Sequence, residues 1–99
     1  MNKGIKHHVY KVLEYQIGMI FYEPSWDAPR VNELTLEQMN IRCLENDYVD
    51  ITLEFHCDAG LADQTKYKLE DVGHYIFTSR EDAERQVFEM YGVRLSEEQ

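Results

Sequence analysis

The chain has 99 residues, of which 43% are hydrophobic and 12% aromatic, enough for one hydrophobic core but hardly for two. Nineteen acidic side chains against ten basic ones give a formal net charge of −9, which makes nucleic acid or an anionic membrane an electrostatically poor partner. We therefore expect a single domain over residues 1–99 whose partner, if it has one, is basic; acidity can also serve solubility alone.

No stretch of the sequence approaches the roughly 18 apolar residues of a membrane helix, and the first residues lack the apolar run of a signal peptide. Cys43 and Cys57 have neither CxxC spacing nor the density of a secreted disulfide scaffold. These features predict a soluble, cytoplasmic protein with reduced thiols.

A first strand is predicted from His8 to Tyr15, after a polar start at residues 1–6 that we expect to be flexible. Gly18 interrupts this apolar run, and Met19 to Tyr22 resumes it. The pattern fits either one long bent strand with a glycine kink or a tight hairpin, and Pro24 ends it in both cases.

The segment from Glu23 to Asn32 has the composition of a loop, because it contains both prolines together with Ser25 and Asp27. It also contains the only tryptophan, Trp26. Two interpretations stay open at this point. The indole either covers one end of the sheet or stands out as an anchor for a partner, since tryptophan is enriched among interface hot spots.

The segment from Leu34 to Glu45 is ambiguous between helix and strand. One helical face would hold Leu36, Met39, Cys43 and Leu44, whereas a strand would alternate through Met39, Ile41 and Cys43. The turn-like Glu45-Asn46-Asp47 suits a hairpin into the next strand. We therefore interpret the segment as a strand with a bulge near Gln38 and with Cys43 facing the core.

The clearest strand runs from Tyr48 to His56. Its core-facing residues are predicted to be Val49, Ile51, Leu53, Phe55 and then Cys57, and its outward residues Asp50, Thr52, Glu54 and His56. A polar turn from Asp58 to Gln64 follows, and then a strand from Thr65 to Leu69 with Tyr67 and Leu69 inward.

A helix is predicted after the turn glycine Gly73 and the short apolar run Tyr75-Ile76-Phe77. Ser79 has the position of an N-cap, and Asp82 three residues later completes a capping box. The apolar face is expected to contain Ala83, Val87, Phe88 and Tyr91. Gly92 ends the helix, and residues 96–99 are expected to be flexible.

Residues 67–84, YKLEDVGHYIFTSREDAE, resemble the C-terminal signature of a loosely related set of small proteins of Gram-positive bacteria, their phages and mobile elements. In that set an acidic-Ile/Val-Gly turn and an aromatic strand residue precede Thr/Ser-Arg-Glu-Glu/Asp-Ala. The resemblance implies an α+β fold, a small antiparallel sheet curled into an SH3-like partial barrel with one C-terminal helix. It implies a bacterial host cell as the location. The loop from Glu23 to Asn32 and the acidic middle depart from the pattern.

Catalysis, a metal site and a cofactor are not expected. His7-His8 and His56-Cys57 are potential ligands, but neighbours on a strand point to opposite faces. The sequence shows neither a nucleophile elbow nor a glycine-rich loop before a helix, and the hydroxyl of Ser79 is engaged as a cap. Pairs of carboxylates are uninformative in so acidic a chain.

The surplus charge suggests imitation of nucleic acid. Asp50 and Glu54 would lie about 13 Å apart on one exposed strand face, and such a row of carboxylates can occupy a basic nucleic-acid channel. The leading hypothesis is an anti-CRISPR-like inhibitor that binds a Cas nuclease or another nucleic-acid-binding defence effector. Its partner-binding residues are predicted to be Asp47, Asp50, Glu54, Asp58, Trp26, Tyr22 and Tyr48.

The alternative is a non-catalytic, SH3-like interaction or regulatory module whose acidity serves solubility only. A third possibility is a homodimer that pairs through an exposed strand edge.

Overall fold

The computed structural model describes residues 14–43, 49–57 and 64–95. It contains four strands, β1 (Ile20–Pro24), β2 (Val31–Cys43), β3 (Val49–Cys57) and β4 (Gln64–Lys68), then a 3-10 turn (Leu69–Asp71) and one helix, α1 (Arg80–Tyr91). The strands form one antiparallel sheet in the order β1-β2-β3-β4. The predicted α+β class, with an antiparallel sheet and one C-terminal helix, is confirmed.

The long second strand confirms the interpretation of the ambiguous segment. Leu34 to Cys43 is strand, and its register against β3 shifts between Leu36 and Gln38, where the bulge was predicted. The alternation of β3 is also confirmed, because Ile51, Leu53 and Phe55 are buried. An antiparallel sheet with one solvated face produces this pattern.

The core lies on the inner face of the sheet. The centroid of the Phe21 ring lies 5.1 Å from that of Tyr15 and 5.0 Å from that of Phe55. Both pairs are edge to face, the arrangement that aromatic pairs prefer. The buried apolar residues around these rings are Leu34, Leu36, Ile51, Leu53, Leu69 and Ile76.

The sheet curls until its two edge strands approach each other. Tyr67 on β4 donates its hydroxyl to the carboxylate of Glu23 on β1, although two strands separate them in the sheet. Beyond β4 the chain continues to the far edge, where Tyr22 and Phe77 exchange backbone hydrogen bonds of 2.7 and 2.9 Å. The sheet is therefore a partly closed barrel.

Helix α1 has the predicted ends. Ser79 accepts a hydrogen bond from the Asp82 amide at 3.4 Å, and Gly92 adopts the left-handed conformation at φ 73°. The reciprocal half of the predicted capping box is absent among the described residues, and the Asp82 carboxylate accepts from Arg85 Nη1 at 3.3 Å instead.

The buried face of α1 is narrower than predicted. Ala83 and Val87 are buried and Tyr91 donates its hydroxyl to the Ser25 carbonyl at 2.7 Å, but Phe88 is 39% exposed. The placement of Phe88 on the buried face was wrong: the helix packs mainly on β1 and less on β2, and Phe88 lies at the margin of this contact.

Two further expectations need correction. Residues 14–19 are not strand: Gly18, at φ 93°, lies in a turn closed by the Met19 amide on the Gln16 carbonyl, which rules out the long bent strand over this stretch. Cys43 is exposed, not core-facing, because β2 runs past the edge of the core, whereas Cys57 is partly buried against it.

Several predictions fall outside the described residues: the strand from His8 as far as Leu13, the flexible ends at 1–6 and 96–99, and the turns at 45–47 and 58–63.

Candidate partner-binding surface

Four of the seven predicted partner-binding residues are described by the structure. Asp50 and Glu54 lie on the outer face of β3, Tyr22 lies on β1, and Trp26 lies in the loop after β1. Asp47, Tyr48 and Asp58 lie outside the described residues. Asp50 and Glu54 thus share the outer face of β3, whereas Tyr22 and Trp26 lie outside that strand and have contacts of their own.

Asp50 is held by a lysine from the neighbouring strand. Lys68 Nζ donates to Asp50 Oδ1 at 2.8 Å and to Oδ2 at 2.7 Å, and it also reaches Thr52 Oγ1 at 3.3 Å. The Asp50 side chain is only 19% exposed. Its charge is therefore compensated at short range, as the diagonal position of Lys68 on an antiparallel pair allows.

Glu54, four residues further along β3 than Asp50, has a similar environment. Lys66 Nζ lies 3.5 Å from Glu54 Oε1, and Asn40 donates its amide to Oε2. Gln38 supports Asn40 through a 3.0 Å hydrogen bond. With 14% of the Glu54 side chain exposed, the outer face presents a neutralised network of carboxylates, amides and amines in place of a bare row of carboxylates.

Tyr22 lies beneath the first turn of α1. The Arg80 guanidinium carbon lies 5.9 Å from the centre of the Tyr22 ring, within cation–π range, and Arg80 also approaches Glu33 at 3.8 Å and Glu84 at 3.9 Å. Tyr22 is thus half-buried and occupied within the chain.

Trp26 stands apart from these groups. It is 65% exposed and its ring lies 6.0 Å from that of Tyr75, itself 47% exposed, with the ring planes tilted by 45°. We call these two residues the Trp26–Tyr75 surface. With 65% of its surface exposed, the indole is not buried over the end of the sheet, and its role as an anchor for a partner stays a prediction.

The loop that presents Trp26 is fixed by its neighbours. Ser25 is buried, its amide donates to the Arg30 carbonyl at 2.9 Å, and its own carbonyl accepts from the Tyr91 hydroxyl at 2.7 Å. The Ser25 hydroxyl also donates to the Asp27 carboxylate. The backbone beneath Trp26 is thus tied to the end of α1.

Asp27 follows Trp26 in the chain, and its carboxylate lies 3.5 Å from the guanidinium of Arg30. The hydrogen bond from the Ser25 hydroxyl, and then the Arg30 guanidinium 3.5 Å away, lower the pKa of the Asp27 carboxyl below its usual value. Asp27 is therefore ionised at neutral pH.

Tyr75 is not among the predicted partner-binding residues, because the sequence shows it only as the first member of a short apolar run. The structure places it in the turn of residues 73–75, next to the fully buried Ile76.

The edge of the sheet at β4 carries lysines. Lys66 and Lys68 project from this strand, and β4 pairs only with β3 among the described strands. Lysines on an edge strand disfavour edge-to-edge pairing of sheets. The homodimer through a strand edge remains a prediction.

The described residues bring together no group of three His, Cys, Asp or Glu side chains that could hold a metal ion.

A groove of about 440 Å³ beside α1 is lined by two glutamates, two arginines, Phe88 and Leu95. In the described part of the chain, no helix has the length and apolar character needed to cross a membrane.

Comparison of the chain with protein-family models, with curated proteins and with solved structures finds no match. The resemblance of residues 67–84 to small proteins of Gram-positive bacteria and their phages therefore stays a prediction.

Proposed function

We propose that this chain is a non-catalytic protein-interaction module that binds a protein partner through the Trp26–Tyr75 surface. The observation that carries the proposal is the 65% exposure of Trp26 on a hydrogen-bonded loop. Tryptophan is usually well buried, because removing its large apolar face from water is favourable. Trp and Tyr are also the residues most enriched among interface hot spots.

The rigidity of the loop supports the same conclusion. A loop whose backbone is already fixed loses little backbone freedom when a partner covers it, so more of the contact energy remains as affinity. Ser25 and its hydrogen bonds to Arg30 and Tyr91 supply that preorganisation.

The pairing of charges on β3 favours this proposal over a carboxylate surface on that strand. A basic partner would first have to displace Lys68 from Asp50 and Lys66 from Glu54. Exchanging one ammonium for another gains little, whereas covering an exposed indole gains apolar burial.

The test begins with affinity capture of a partner from bacterial extract, followed by calorimetry with that partner in purified form. We expect Trp26→Ala to weaken binding by about tenfold or more and Tyr75→Ala by a smaller factor, as at interface hot spots. The matched control is Phe88→Ala, which removes another partly exposed aromatic outside the surface. The double variant Asp50→Asn, Glu54→Gln should bind as the parent does. Unchanged affinity of Trp26→Ala would refute the proposal.

A second candidate function follows from the charge. With nineteen acidic and ten basic side chains, at least nine carboxylates have no cation on this chain to compensate them. In the described ranges Glu70 and Glu89 are examples that make no ion pair. Such carboxylates, together with the predicted Asp47 and Asp58, could engage the basic channel of a Cas nuclease or similar effector, as an anti-CRISPR-like inhibitor would.

This second candidate is tested by DNA-cleavage assays with a panel of Cas effectors at two salt concentrations. Inhibition that weakens as salt rises is the expected result, since exposed charges are screened. Cleavage that proceeds undisturbed in every case would remove the candidate.

A further inference from the structure

We infer that the Trp26–Tyr75 surface binds an arginine side chain of the partner, an inference that rests on the proposed function. The occupant of an exposed aromatic surface can be an apolar side chain, a sugar ring or a cation. Charge and ring geometry together select among these three.

The charge of the chain favours a cationic occupant. The net charge is −9, and ionised Asp27 follows Trp26 directly in the sequence. Because Arg30 lies 3.5 Å from Asp27 and compensates it, the attraction for a cation comes from the net charge of the whole chain. That charge attracts a cation towards the molecule and repels an anion.

The aromatic faces favour arginine among the cations. The indole is the strongest cation–π acceptor of the aromatic side chains, and the planar, weakly hydrated guanidinium stacks on it more readily than a lysine ammonium. This chain uses the same contact twice internally, with Arg80 over Tyr22 at 5.9 Å and Arg94 over Phe88 at 4.7 Å. Among the described residues no arginine stacks on Trp26 or Tyr75, and these two rings contact each other.

The tilt of the rings argues against a sugar. A sugar ring stacks best on a flat aromatic platform, whereas Trp26 and Tyr75 meet at 45° with centroids 6.0 Å apart. A guanidinium is small enough to stack on the face of a single ring, so it does not need the flat platform that a sugar needs. Tyr75 contributes to such a site through its contact with the indole.

The experiment uses the indole N–H signal of Trp26, which is a single resonance because the chain contains one tryptophan. Three blocked glycine pentapeptides are titrated into the full chain. Their central residue is arginine, lysine or citrulline, so that charge and shape vary separately. A malto-oligosaccharide and an unsubstituted glycine peptide are titrated in parallel.

The expected result is a saturable shift with the arginine peptide and binding about two- to fivefold weaker for citrulline, the size expected of an exposed cation–π contact. Lysine should fall between them. Tyr75→Ala should weaken arginine binding, whereas Phe88→Ala should not. Equal affinities for arginine and citrulline, equal affinities for arginine and lysine, the absence of any saturable shift, or tighter binding of the oligosaccharide would each overturn the inference.

These outcomes are separate from those of the proposed function. If Trp26→Ala abolishes binding of the captured partner while the peptides do not differ, the surface binds a protein but not through arginine. If Trp26→Ala leaves that binding intact, the proposed function itself fails, whatever the peptides do.

Discussion

Removing the hydroxyl that joins the two edge strands is the sharpest test of the partly closed barrel. Tyr67→Phe deletes one oxygen and keeps the ring, so the loss reports the hydrogen bond to Glu23. Hydrogen bonds to charged groups contribute about 1.5–3 kcal/mol. Glu23 keeps a second donor, Asn32 at 3.1 Å, and is only half-buried, so we expect a loss of about 1–2 kcal/mol.

The assay is urea unfolding followed by circular dichroism, with thermal unfolding as a second readout. A loss of that size should lower Tm by about 5–15 °C for a domain of this length. Tyr22→Phe is the matched control, because its hydroxyl makes no hydrogen bond to the described residues, and it should change stability by less than about 0.5 kcal/mol. Equal stabilities of Tyr67→Phe and Tyr22→Phe would show that the Tyr67 hydroxyl does not stabilise the curled sheet.

The same hydroxyl makes stability depend on alkaline pH. Burial first, and then the hydrogen bond to Glu23, raise the pKa of Tyr67 in the folded chain far above its ordinary value near 10. Below about pH 10 both states hold the proton and the contribution to stability is complete.

Above about pH 10 the unfolded chain releases that proton while the folded chain retains it, so stability falls by up to about 1.4 kcal/mol per pH unit. The stability difference between the parent chain and Tyr67→Phe should therefore shrink between about pH 10 and about pH 11. A difference that stays constant over this range would show that ionisation of Tyr67 is not disfavoured by folding.

Four smaller changes should have separable effects on urea unfolding. Ser79→Ala removes the helix cap and should cost about 1 kcal/mol. Gly92→Ala forces a Cβ into a residue at φ 73° and should cost about 1–2 kcal/mol, with Gly92→Asn milder. Lys68→Ala breaks a half-exposed ion pair with Asp50, so it should cost less than about 1 kcal/mol and less again in high salt. Trp26→Ala should leave stability within about 0.5 kcal/mol of the parent.

The parts of the fold that local sequence determines could be predicted. The alternation of β3 and the Ser79 cap each depend on residues that are close in the chain, and both predictions are confirmed. The ambiguous strand β2 was identified through its neighbours, since a turn followed by a clear strand implies a hairpin partner.

The predictions that were wrong concern side chains whose burial depends on elements distant in the sequence. Cys43 continues the apolar alternation of β2, but no sequence pattern shows where the core ends, and the exposed Ile41 lies beyond it too. Phe88 lies three residues before Tyr91 but directly after Val87, so it stands at the border of the apolar stripe, and the packing beneath the helix decides whether that border is covered.

The predicted carboxylate surface on β3 also depends on an element distant in the sequence. The sequence predicts an exposed row of carboxylates through Asp50 and Glu54, and β3 itself contains no lysine or arginine. The compensating Lys66 and Lys68 come from the next strand, where alternation places them on the outer face opposite Tyr67. That signal was present in the sequence, and using it required the register between β3 and β4, which the structure supplies.

The internal pairing of side chains explains why the Trp26–Tyr75 surface stands out. Among the described residues, most aromatic side chains have partners elsewhere in the chain: Phe21, Phe55 and Tyr15 in the core, Tyr67 and Tyr91 through their hydroxyls, and Tyr22 and Phe88 under arginines. Trp26 and Tyr75 contact each other and remain largely exposed. Because their removal takes little buried area from the core, a change at these positions can alter binding without unfolding the domain, and a loss of binding can be attributed to the surface itself.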